Sequence, residues 1–90
     1  MAVHSNRPTP EVVDRLFNEV AWAKTCLLVA TTALPGPDRV RKVNKLREAL
    51  KSPRHVLDEI FGRGQSVPRA VIVDLRRCEL ALPELVESIR

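Results

Sequence analysis

The chain has 90 residues, and its 15 Lys and Arg against 11 Asp and Glu leave a net charge of +4. A chain this short makes one domain that buries only on the order of 60 to 65% of its unfolded surface, so it should be marginal alone and would gain from dimerisation. Its apolar fraction of 44% is ample for a core, but Phe17, Trp22 and Phe61 are the only aromatic residues, so aliphatic packing must carry the fold. The longest apolar run, residues 21–34, is broken by Lys24, Thr25, Thr31 and Thr32 and falls short of the ~20 residues of a membrane span. The beginning of the chain, with His4, Ser5, Asn6, Pro8 and Pro10, has no apolar segment of the secretory kind. The expectation is a cytoplasmic protein without a membrane segment. Cys26 and Cys78 are too few for a disulfide framework and read as buried, reduced thiols.

The charge excess is local. Residues 38–54 hold Arg39, Arg41, Lys42, Lys45, Arg47, Lys51 and Arg54 against Asp38 and Glu48, whereas the flanking parts of the chain are close to neutral. A localised basic segment is a docking surface for something acidic, either phosphate or a carboxylate-bearing protein.

In chain order, residues 1–8 read as a flexible segment and residues 9–90 as a single helical domain. Thr9, Pro10 and Glu11 give an N-cap, a proline at the first helical position and an acid in the first turn. Val13, Leu16, Phe17, Val20 and Leu27 follow at helical spacing. From Ala21 onward nearly every face is apolar (Ala23, Cys26, Leu27, Leu28, Val29, Ala30), which reads as a second, centrally buried helix after a bend near Lys24. Pro35, Gly36 and Pro37 end it. Asp38 can cap the next helix, with Val40, Val43, Leu46 and Leu50 on one side. Ser52 and Pro53 repeat the cap-then-proline signal and start another, carrying Val56, Leu57, Ile60 and Phe61. Residues 62–66 form a loop.

The last segment is ambiguous between strand and helix at residues 70–75, which are rich in β-branched side chains. Val67, Val71, Leu75, Cys78, Leu82, Leu85 and Ile89 nevertheless align in one helical stripe, and a lone strand would leave its backbone without a ladder. Helix is the reading, with Pro83 as a kink or a restart. The resulting expectation is an all-α, compact bundle of five or six short helices.

No motif calls for catalysis, a metal or a cofactor. Gly62, Gly64 and Ser66 lack the lysine of a phosphate loop, and Val67 stands where a dinucleotide fingerprint needs its third glycine. His55, Asp58 and Glu59 share a helical face, but with His4 as the other histidine they read as a solvated polar face rather than a metal site. Cys78 has no histidine base and lies in the apolar stripe. Nucleic acid is the more serious alternative, because the basic segment has the charge for phosphate contacts. Helix-turn-helix spacing is poor, however: a turn at Gly62 puts Asp58 where a small residue should pack and Arg63 where an apolar one should. Aromatic residues are not interleaved with the basic ones either.

A compact string of short helices closing on a charged one resembles the outline of death-fold adaptors. More narrowly, Leu27-Leu28-Val29, Leu34-Pro35-Gly36-Pro37-Asp38-Arg39 and Leu46-Arg47, with Pro68-Arg69-Ala70-Val71-Ile72-Val73-Asp74-Leu75-Arg76-Arg77-Cys78 and Leu82-Pro83-Glu84-Leu85-Val86-Glu87, resemble bacterial effector-associated domains. The resemblance covers residues 20–90, at mostly aliphatic positions. It implies a death-fold-like, non-enzymatic adaptor of bacterial defence or signalling. The docking residues read from the charge pattern are Arg39, Arg41, Lys42, Lys45, Arg47, Lys51 and Arg54. Glu79, Glu84 and Glu87 offer a complementary acidic patch through which the chain could form a homo-oligomer.

Overall fold

The computed structural model describes residues 7–90, so His4 and most of the segment read as flexible lie outside the described residues. The described residues are all-α, but they form three long helices rather than five or six short ones: α1 (Pro10–Thr32), α2 (Pro37–Gly62) and α3 (Arg69–Ser88). The short links at residues 33–36 and 63–68 turn each helix back on the previous one.

The correction has one physical cause, which is continuity of the apolar stripe through positions that look like boundaries. In α2, Leu46, Leu50, Pro53, Leu57 and Ile60 recur at alternating intervals of four and three, and all are buried. Pro53 removes the amide hydrogen that would bond the Ala49 carbonyl, at a cost of ~3 kcal/mol in a helix interior. Burying several aliphatic side chains beyond it, each contributing about 1.5–3 kcal/mol, outweighs that cost. Ser52 therefore caps nothing; its hydroxyl donates to the Glu19 carboxylate of α1 at 2.8 and 2.9 Å. α3 likewise continues through Pro83, with Val71, Leu75, Cys78 and Leu85 buried and Val67, Leu82 and Ile89 packed against them. The helical reading of residues 70–75 is correct.

α1 also runs unbroken past Lys24. Its second half is not centrally buried: Ala23, Cys26 and Ala30 face the core, while Leu28 and Val29 are exposed. In a three-helix bundle each helix meets two neighbours and leaves one side to water. Thr25, Thr31 and Thr32 occupy that open side, and their hydroxyls donate to the carbonyls of Ala21, Leu27 and Leu28 one turn earlier.

Helix ends follow backbone chemistry. The Thr9 hydroxyl accepts the Val12 amide at 3.4 Å. α2 is preceded by Gly36, at a φ of 129° that side chains disfavour, and its first residue is Pro37, so Asp38 sits in the first turn and not at the cap. α2 ends in a Schellman turn: Gly64 (φ 70°) donates to the Phe61 carbonyl at 2.9 Å and Gln65 to that of Ile60 at 3.1 Å. The Gly62–Gly64 pattern is thus a connecting turn.

Candidate docking surface

The seven basic residues of residues 38–54 are divided between two flanks of α2 and its outer side. Lys42 and Lys45 lie on the flank towards α1. There they line a shallow depression with Trp22, Thr25, Cys26 and Val29, and the Lys45 ammonium sits 5.2 Å from the centre of the Trp22 ring. Trp22 is 50% exposed and Val29 40%, so this groove presents a half-open aromatic and an aliphatic side chain among cations.

Arg54 lies on the other flank, towards α3. Its Nε donates to Glu79 Oε2 at 2.7 Å, its Nη2 to Glu79 Oε1, and its Nη1 to Asp58 at 3.2 Å. Arg47, seven residues earlier and hence on the same flank, has no ion-pair partner among the described residues. Lys51 pairs with Glu48 at 3.0 Å on the outer side. Arg39 donates to the Thr31 carbonyl at the end of α1, and its buried Nε has no hydrogen-bond partner among the described residues.

Asp38 is bonded to one of the cations that line the groove. It receives Lys42 at 2.7 Å and Arg41 at 3.3 Å, and these bonds, the one from Lys42 above all, hold its carboxyl below the usual carboxylate range. One carboxylate thus answers two cations, and Lys45 has no carboxylate partner among the described residues. Lys42 and Lys45 therefore set positive charge beside Trp22.

Glu79, Glu84 and Glu87 of α3 do not share one patch. Glu79 faces α2 and is engaged by Arg54, whereas Glu84 is exposed and unpaired among the described residues and Glu87 pairs with Arg90 at 3.4 Å. His55 pairs with Glu59 at 3.0 Å and Asp58 with Arg54, and no group of three metal-ligating side chains occurs among the described residues. Cys26 and Cys78 are free and buried, and burial pushes both thiols up.

Sequence reasoning missed Trp22. It is 16 residues before the basic segment begins, so the aromatic interleaving absent along the chain is created only when α1 packs on α2. A signal was present: Trp22 directly precedes the buried Ala23 and lies about 100° around α1 from it, off the core stripe. A large aromatic placed there is available for a partner.

No protein-family model, no curated protein and no solved structure matches the chain. No described helix is long and apolar enough to cross a membrane.

Proposed function

We propose that the chain is a non-enzymatic docking module, an adaptor, that binds an acidic partner protein in the α1–α2 groove. The observation that carries this reading is the exposed Trp22 and Val29 framed by Lys42 and Lys45. Interface energy concentrates in aromatic anchors surrounded by groups that exclude water, and the cations select a partner whose apolar anchor is flanked by carboxylates. An amphipathic helix with Asp and Glu beside Leu or Phe has that chemistry. The setting in bacterial defence or signalling comes from the resemblance of residues 20–90 to effector-associated domains.

A second reading, nucleic-acid binding, draws on the same aromatic, because a base can stack on Trp22 while Lys42 and Lys45 hold the flanking phosphates. The two readings part in their response to salt. Trp22 is the sole tryptophan and the chain has no tyrosine, so intrinsic fluorescence reports this groove alone. The test is a titration with an acidic amphipathic peptide and with a mixed-sequence single-stranded oligonucleotide, at low and at ~150 mM salt. Docking of an acidic protein predicts a saturable shift with the peptide that persists at ~150 mM salt and disappears in Lys42→Glu/Lys45→Glu, while the oligonucleotide signal collapses with salt. Saturation by the oligonucleotide at that salt, with no peptide response, overturns the first reading in favour of the second.

A further inference from the structure

The side of α3 that faces away from the core carries exposed apolar side chains, with a basic pair before Leu80 and an acidic pair after it. Leu80 is 69% exposed and Val73 38%, and both lie opposite the buried stripe of Val71, Leu75, Cys78 and Leu85. Arg76 and Arg77 precede Leu80, and Glu84 and Glu87 follow it. Arg76, Arg77 and Glu84 have no ion-pair partner among the described residues. Leu28 of α1, 64% exposed, lines the groove beside Arg77 and widens the apolar surface.

We propose that a second copy of this chain packs antiparallel against this face, with a two-fold axis passing close to Leu80. The spacing of the charges carries the argument. Arg77 and Glu84 are seven residues apart, so they lie on the same flank of α3, separated by ~10 Å along the axis, too far to pair within one chain. Arg76 and Glu87 are 11 residues apart and share the other flank. A two-fold axis perpendicular to the helix reverses its direction while keeping each flank on its own side. Arg77 therefore comes level with Glu84 of the second copy, and Arg76 comes close to Glu87 of the second copy, to within a few ångströms along the axis in each case. The two Leu80 side chains meet between these pairs. A parallel arrangement would set like charges against each other. This surface is separate from the α1–α2 groove, so the dimer leaves Trp22 open.

The test is sedimentation of the full chain over a range of concentrations. The wild type should show a reversible monomer–dimer equilibrium that weakens as salt is raised. Leu80→Glu should be monomeric. Arg77→Glu and Glu84→Arg alone should each weaken association by about tenfold or more, and the two combined in one chain should restore it, because the exchanged charges again meet their opposites. Lys45→Glu should leave the equilibrium unchanged. All these positions are exposed, and an unchanged far-ultraviolet circular dichroism spectrum checks that each variant is folded. A wild type that stays monomeric at every concentration, a dimer indifferent to Leu80→Glu, or a charge exchange that fails to restore association would each overturn the proposal.

Discussion

Arg54 of α2 and Glu79 of α3 form a forked ion pair across the bundle, with Nε and Nη2 of the guanidinium each donating to one carboxylate oxygen. Both residues read from the sequence as partner-binding, yet each is the other's partner within the chain. They are about one-third exposed, 35% for Arg54 and 29% for Glu79, so solvent screening reduces what the charge-assisted bonds contribute. Arg54→Ala and Glu79→Ala should each destabilise the fold by about 1–2 kcal/mol in denaturant titrations, and the double variant by little more than the larger single effect. Additive losses would show that the two side chains act independently.

Truncation should separate the buried stripe of α3 from its exposed side. Leu75 is fully buried, so Leu75→Ala should cost ~2–5 kcal/mol, whereas Leu80→Ala at low protein concentration should change monomer stability by less than about 0.5 kcal/mol. Chemical denaturation monitored by circular dichroism distinguishes the two. Equal costs would place Leu80 in the core.

The link between α1 and α2 depends on Gly36. Its φ of 129° with a ψ of −163° belongs to a region that is essentially restricted to glycine, although no atom stands within 4 Å of where a Cβ would lie. Gly36→Ala should therefore cost ~1–3 kcal/mol through backbone strain alone, without steric conflict. A neutral substitution in a thermal melt would show that the turn readjusts freely.

Both thiols should be unreactive in the native state. Burial raises their pKa values, and at Cys26 the nearby Lys45 partly offsets that effect. A thiol-specific reagent should label native protein slowly and denatured protein at once. The same shift fixes a pH dependence. As pH climbs past the ordinary thiol range, the unfolded chain ionises its cysteines before the folded one does, so the thiol contribution to stability is complete below that range and declines above it. Melting temperature should fall between about pH 8 and about pH 10, and less steeply in Cys26→Ala/Cys78→Ala.

The buried side of each helix was legible in the sequence, because Leu16, Val20, Val43, Leu46, Leu50, Leu75 and Leu85 recur at helical spacing and periodicity reports burial directly. The number of helices was not. Ser52-Pro53 has the local form of a helix start, and whether a proline breaks a helix depends on what is buried on either side of it, which is a tertiary quantity. The groove was half legible: the basic residues stood out as a block, while Trp22 became their neighbour only through packing of α1 on α2. The pairing of Arg54 with Glu79 was hidden for the same reason, since 25 residues separate them in the chain.

The two short links have a kinetic consequence. Residues 33–36 and 63–68 each return the chain directly onto the helix just formed, so two of the three helix interfaces join elements adjacent in sequence. Closing such short loops forfeits little chain entropy before native packing begins to compensate. Refolding from denaturant should accordingly be quick, on the microsecond-to-millisecond scale of helical bundles with low contact order. The α1–α2 hairpin closes over residues 33–36, and its ordering assembles the Trp22 groove, so recovery of tryptophan fluorescence times the appearance of the docking surface itself.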